Sequence, residues 1–145
     1  LVIRHCIKLM RDMTYKVKEA VFYLGMGAIF THELDAMTNH EWRVLPLTSW
    51  MPDETGMLVF LSAHVPLFAL LVALVSSTNA VVRRRSKLTI SIFLVLHGVL
   101  HVLFTSDSQY EFSSMVSSVL IFGAAVLGGI YLLMEYRGKF SGQHT

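Results

Sequence analysis

Residues 57–77 read MLVFLSAHVPLFALLVALVSS and contain no charged side chain. A helix needs about 20 apolar residues to cross the roughly 30 Å hydrocarbon core of a bilayer, and this stretch is long enough. Only 15% of the 145 residues are charged, whereas soluble domains carry about 25%. The same composition excludes a disordered chain, and a single cysteine excludes a disulfide framework or a Cys-based metal cluster. The sequence therefore predicts an integral membrane protein.

Three further apolar stretches accompany this one, so the sequence predicts four spans: residues 19–41, 57–77, 88–104 and 112–134. None of them shows the alternating polar pattern of transmembrane barrel strands. We therefore expect an all-α membrane protein whose four helices form an antiparallel bundle. The predicted domains are a short basic amphipathic helix lying at the membrane interface, the transmembrane bundle and a tail: residues 1–18, 19–136 and 137–145.

The basic residues predict the orientation of the bundle. Eleven of the twelve lysines and arginines lie before the first span, between the second and third, or after the fourth, and Arg43 alone lies on the other side. The positive-inside rule then places both termini in the cytoplasm. The small size and the His-Glu…His-Glu-Trp-Arg run are similar to those of small bacterial membrane proteins of unknown role, which implies a bacterial inner membrane. Since topology explains the basic residues, lipid is an expected partner and nucleic acid is not.

Histidines are concentrated in one layer of the predicted bundle. At 1.5 Å of rise per residue, His32, His64, His97 and His101 lie roughly 6 to 12 Å below the outer ends of their spans, and Glu33 lies in the same layer. Ionisable residues inside a membrane are costly and usually functional. The sequence therefore predicts a metal site with these candidate ligands: His32, Glu33, His40, His64, His97 and His101.

Spacing and ligand chemistry refine this metal site. His97 and His101 are one helical turn apart, which lets a single helix offer two imidazoles to one ion. Glu33 and His40 are about 10 Å apart along a straight helix, so His40 belongs to a second, shallower site or lines the entrance. Imidazole and carboxylate suit zinc, iron, manganese or nickel, and the absence of thiolate argues against Cu(I). We expect one or two zinc or iron ions.

Other interpretations of the histidines stay open at this stage. A haem b could be held by His64 together with His97 or His101, as a bis-histidine pair. A polar network or proton relay without metal would also satisfy these groups. Each histidine taken alone could be a hydrogen-bonded packing residue, but such residues would not be expected at one depth.

Two classes of function follow from the predicted site. The first is a metal-dependent enzyme that hydrolyses a lipid-like ester or amide, or that oxidises an apolar substrate with iron, with Glu33 or Glu41 as general base. The second is a haem-bearing electron-transfer protein or a non-enzymatic metal-binding subunit. The fourth span also contains small residues at four-residue spacing: Ala124, Ala125, Gly128 and Gly129. Such residues let two helices approach closely. We expect them to pack this helix within the bundle, or to form the interface of a homo-oligomer or a larger complex.

Overall fold

The computed structural model describes residues 2–141, and its side chains continuously from 12 to 138. Four helices follow one another along the chain: α1 (Val2–Thr38), α2 (Asp53–Val75), α3 (Ala80–Phe104) and α4 (Met115–Ser141). A short 3-10 helix, Glu41–Arg43, lies between α1 and α2. No strand occurs between residues 2 and 141, so the all-α prediction is confirmed over this range. Residue 1 and the last part of the predicted tail, 142–145, lie outside the described residues.

Three of these helices are long and apolar enough to cross a membrane: Asp53–Val75, Ala80–Phe104 and Met115–Gly138. The C-terminal third of α1 is less apolar because it carries His32, Glu33 and Asp35, so the fourth span stays a prediction. α1 also runs without a break from Val2. The predicted separate interfacial helix over residues 1–18 is therefore, from Val2 onwards, the first part of α1.

The bundle is organised around α4, which packs along both α1 and α3. Its side chains meet those of α1 and α3 in a core that includes Phe22, Leu94 and Tyr131. α4 approaches α3 closely at Gly128, where an added Cβ would lie 2.7 Å from the carbonyl oxygen of Ser91. Glycine is required there, because even a methyl side chain would push the two helices apart.

Not all small residues of α4 are used in this way. An added Cβ at Gly123 or Gly129 would have nothing within 4 Å, whereas one at Gly98 of α3 would lie 2.8 Å from the Cβ of Ala125. The predicted packing within the bundle is thus observed at Gly128 and Ala125. Contact of α4 with a second copy or a larger complex stays a prediction.

α2 packs more loosely than the other helices. It contacts α3 and the 3-10 helix, and most of its side chains are exposed, including Val65 and Leu70. Pro66 lies inside this helix and removes one backbone hydrogen-bond donor there. Because α2 packs loosely, space remains between it and the rest of the bundle.

Ion pairs join three helices at the end of the bundle remote from His32. Lys18 of α1 lies 2.7 Å from Glu135 of α4, and Arg84 of α3 binds the other oxygen of the same carboxylate. Lys87 of α3, which is buried, pairs with Glu19 of α1. Each charge that this end of the bundle buries therefore has a partner of opposite sign.

Candidate metal centre

α3 brings two imidazoles to one point in the bundle. His97 and His101 are successive residues on one face of the helix, and their ring centroids are 4.6 Å apart. Both are buried, whereas the apolar side chains between and beside them face outward: Leu96, Val99, Leu100 and Leu103. In a membrane this is the expected arrangement, because lipid accepts leucine and valine but not an imidazole.

α1 supplies a third imidazole. The side chain of His32 is completely buried, and its ring centroid is 4.9 Å from those of both His97 and His101. Phe112, which precedes α4, packs against His32 at 5.3 Å and against His101 at 4.9 Å between ring centroids. Three histidines from two helices thus form a triangle that an aromatic ring covers on one side.

A carboxylate from outside the helices completes the group. α1 ends at Thr38, and His40 adopts a left-handed conformation with φ 49° and ψ 44°. This residue reverses the chain, so that Glu41 points back towards the bundle and is buried. Its Oε2 lies 3.4 Å from Nε2 of His32, and its Oε1 lies 3.8 Å from Nε2 of His101.

These residues form a compact group that could hold a metal ion, called here the His/Glu cluster: His32, Glu41, His97 and His101. One ligand atom from each lies within 4.8 Å of the others. A tetrahedral zinc ion with bonds of about 2.1 Å holds its ligand atoms about 3.4 Å apart. Side-chain movements of the order of 1 Å would therefore close the cluster around an ion.

The cluster is short of hydrogen bonds. Four of its buried polar atoms have no hydrogen-bond partner: Nδ1 and Nε2 of His32, Oε2 of Glu41 and Nε2 of His97. Each unsatisfied buried polar group typically costs about 1–3 kcal/mol, so their convergence requires an explanation. A cation at the centre of the cluster would satisfy a lone pair on each of these residues at once.

Tyr110 fixes the orientation of His101. Its hydroxyl lies 3.1 Å from Nδ1 of His101, which leaves Nε2 directed towards Glu41. Burial and the neighbouring Glu41 carboxylate raise the pKa of Tyr110 above its ordinary value, so this phenol stays neutral. Partners of this kind hold the ring and tautomer of a metal-binding histidine.

The loop that carries Glu41 is held at both sides. Trp42 donates from Nε1 to Oδ1 of Asp53, 2.9 Å away, at the start of α2. Arg43 pairs with Asp53 at 2.8 Å and with Glu111 at 3.3 Å. His40 lies 2.8 Å from Glu111 as well. The run 40–43 therefore anchors the loop to α2 and to the segment before α4, while the side chains of Glu41 and Trp42 are buried.

A second pair of ionisable residues lies apart from the cluster. Nε2 of His64, on α2, is 3.0 Å from Oε2 of Glu33, on α1. Nδ1 of His64 lies 2.7 Å from the backbone carbonyl oxygen of Phe60. Both ring nitrogens are thus engaged in contacts that do not involve the cluster.

The structure brings together some of the sequence-predicted ligands and separates others. His32, His97 and His101 meet, whereas Glu33 pairs with His64, and His40 pairs with Glu111 on the half-exposed outer surface. The carboxylate of the cluster comes from Glu41, which the sequence had suggested only as a general base. The haem interpretation required His64 opposite His97 or His101, and the observed Glu33–His64 pair gives it no support.

The sequence of the chain matches one family of proteins. Residues 18–138 match a family of unknown function, DUF6713. The chain belongs to this family. The match includes the whole His/Glu cluster and the Glu33–His64 pair. Comparisons with curated proteins and with solved structures gave no match.

Proposed function

We propose that this protein is an integral membrane protein that binds one transition-metal ion through His32, Glu41, His97 and His101. The observation that carries this proposal is the convergence of four buried side chains, three of which hold polar atoms without a hydrogen-bond partner. A hydrogen-bonded network would serve the same residues only if donors met acceptors, and here Nδ1 and Nε2 of His32, Oε2 of Glu41 and Nε2 of His97 form no hydrogen bond. The carboxylate of Glu41 adds a negative charge, which a buried site tolerates when a cation balances it.

The proposed ion is zinc or iron. Imidazole nitrogen and carboxylate oxygen suit both, and manganese and nickel as well, while no thiolate is present in the cluster. Three neutral histidines and one carboxylate leave one positive charge on a divalent ion.

The proposed membrane position puts this site near the outer surface. Three helices are apolar enough to span, and α1 packs along α4 as a fourth. The basic residues lie at the end of the bundle where Lys18 and Arg84 bind Glu135. With that end in the cytoplasm, as the positive-inside rule requires, the His/Glu cluster lies in the outer half of the bilayer. A bacterial inner membrane fits this arrangement.

We further propose that the protein is an enzyme that acts on an apolar or lipid-like substrate. A bound zinc ion would supply a Lewis acid for hydrolysis, and iron would supply oxidation chemistry. Glu41 is then a ligand, so Glu33 is the carboxylate left to act as a general base. It lies on α1 next to His32 and is held by His64.

A second candidate is a non-enzymatic metal-binding subunit. Four protein ligands fill the coordination sphere of a tetrahedral ion, which is typical of structural sites, whereas catalytic sites keep one position open. The number of ligands in the cluster favours this alternative for zinc. Cobalt(II) substitution separates the two, because visible absorption bands differ between a four-coordinate ion and one that also binds water.

Elemental analysis is the experiment that tests the metal site. The protein should be purified in detergent without metal-chelating resin, and metal should be counted per chain. We expect about one zinc or iron ion per chain in the natural protein, and its loss in His97→Gln, which keeps the size of the side chain. His64→Gln is the matched control, because His64 lies outside the cluster.

Two results would count against the proposal. Full metal content in the His97→Gln protein would show that the ion lies elsewhere. Absence of metal from a folded natural protein, even after incubation with zinc or ferrous iron, would show that the cluster is a polar network. Circular dichroism and size-exclusion chromatography establish that each variant is folded.

A further inference from the structure

A cavity of about 270 Å³ lies between α1, α2 and α3. Its wall is apolar almost throughout, with Ile29 and Phe30 from α1, Phe68 and Leu71 from α2 and Phe93 from α3. Glu33 also lines it and is the only ionisable residue that does so within the described part of the chain. An apolar cavity with one polar group is the usual form of a site for a small apolar ligand.

This cavity adjoins the proposed metal centre. Phe93 lies one helical turn before His97, and the centroids of their rings are 5.5 Å apart. Phe68 similarly lies one turn after His64, with ring centroids 5.3 Å apart. Glu33 follows His32 directly in the chain. A molecule in the cavity would therefore reach Glu33 and lie one aromatic ring away from the His/Glu cluster.

The hydrogen bonds of His64 determine what Glu33 can offer to such a molecule. A backbone carbonyl only accepts, so Nδ1 of His64 must donate to Phe60. Nε2 of the same ring lies 3.0 Å from Oε2 of Glu33. One imidazole thus holds this carboxyl group through a single oxygen.

The other oxygen of Glu33 is left free, because no hydrogen bond joins Oε1 to another described residue. A carboxylate oxygen accepts hydrogen bonds. The cavity thus presents one carboxylate acceptor in a wall whose only other polar side chain, within the described part of the chain, is Thr89.

We infer that the cavity binds an apolar chain that carries one hydrogen-bond donor, such as a hydroxyl group, with Oε1 of Glu33 accepting from it. This inference rests on the proposed function and names the class of its substrate. The cavity has the volume of about nine water molecules in the liquid, which admits a chain of about ten non-hydrogen atoms. His64 is a positioning residue here, because it holds Glu33 through Oε2 and leaves Oε1 available.

Photolabelling in lipid nanodiscs tests this inference. The probe is decanol carrying a diazirine near its apolar end, and mass spectrometry locates the labelled residues. We expect saturable labelling of α1, α2 and α3 around the cavity, displaced by excess decanol and about tenfold less effectively by decane, which cannot donate to Glu33. Glu33→Leu should remove the preference for decanol over decane while labelling persists.

A cavity-filling variant supplies the matched comparison. Leu71→Trp should abolish labelling at the cavity, whereas Leu70→Trp should not, because Leu70 is 55% exposed and faces away. Equal labelling of these two variants, or equal competition by decane and decanol in the natural protein, would overturn the inference.

Metal content is measured on the same samples. Metal loss with intact labelling would contradict the metal site alone, and intact metal with unselective labelling would contradict the ligand class alone.

Discussion

Nε2 of His32 and Oε2 of Glu41 lie 3.4 Å apart, although α1 ends between the two residues. On a continuous helix, nine residues would separate them by about 13 Å along the axis. The left-handed backbone of His40 removes that separation by turning the chain back on itself. The proposed metal centre therefore depends on a helix end as much as on the helices.

Metal binding should stabilise the fold. A ligand that binds only the folded state adds about 2.7 kcal/mol when its concentration is 100 times its dissociation constant. We expect the melting temperature in detergent to rise with added zinc or ferrous iron and to fall with a chelator. The His97→Gln protein should melt at one temperature under both conditions. An equal shift in that variant would place the stabilising ion at another site.

Glu41 should contribute strongly to affinity. Glu41→Gln keeps the shape of the side chain but removes its charge, and we expect the dissociation constant to rise by at least about 100-fold, beyond the usual effect of a residue that only supports a ligand. Glu54→Gln is the control, since Glu54 is an exposed residue at the start of α2. Competition with a metal-binding dye measures both. An unchanged constant for Glu41→Gln would show that the ion is held by histidines alone.

Tyr110 should strengthen metal binding without being a ligand itself. Tyr110→Phe removes the hydroxyl that lies 3.1 Å from Nδ1 of His101. We expect a ten- to hundredfold weaker affinity, of the order typical for such supporting residues, with the number of ions per chain unchanged at saturation. Tyr23→Phe, on the exposed side of α1, should leave the affinity unchanged. Loss of the ion at saturation would instead make Tyr110 essential to the fold of the site.

The left-handed backbone of His40 can be tested by comparing two substitutions at this position. His40→Asn and His40→Val both lose the contact with Glu111, but asparagine tolerates the left-handed region and valine does not. We expect the valine variant to be about 1–2 kcal/mol less stable than the asparagine variant and to bind metal more weakly, since Glu41 would be displaced. Thermal unfolding with and without metal measures both effects. Equal behaviour of the two variants would mean that the chain reversal does not place Glu41.

Two glycines of α4 should differ in their response to alanine. Gly128→Ala brings a methyl group to 2.7 Å from the carbonyl oxygen of Ser91, and such overpacking typically costs about 1–3 kcal/mol. Gly129→Ala meets nothing within 4 Å and should be neutral or stabilising by up to about 1 kcal/mol, because alanine favours helix. Thermal unfolding distinguishes them. Marked destabilisation by Gly129→Ala would point to a partner on that face.

Part of this arrangement could be predicted from the sequence because helix geometry is regular. The rise per residue places His32, His97 and His101 at one depth, and the structure brings these three together. Depth alone could not decide which residues of that layer meet. α2 is apolar on every face, so its sequence contains no signal for the direction of His64, which turns towards Glu33.

Glu41 as a ligand was missed for a different reason. The prediction continued the first helix to residue 41 and so placed this carboxylate about two and a half turns above His32. The signal was present in Asn39 and His40, since asparagine, aspartate and histidine are the non-glycine residues most often found in the left-handed conformation that ends helices. A helix end at that point reverses the chain and returns the next side chain to the bundle.

The two regions that supply the proposed ligands, residues 32–41 and 97–101, leave the ribosome at different times during synthesis. A nascent chain that has released only α1 and α2 holds one imidazole and one carboxylate of the cluster, which is too few to retain an ion. Loading must wait for the C-terminal end of α3, and the ion would then link the first helix to the third. Metal occupancy would in that way report that the ends of these two helices have come together.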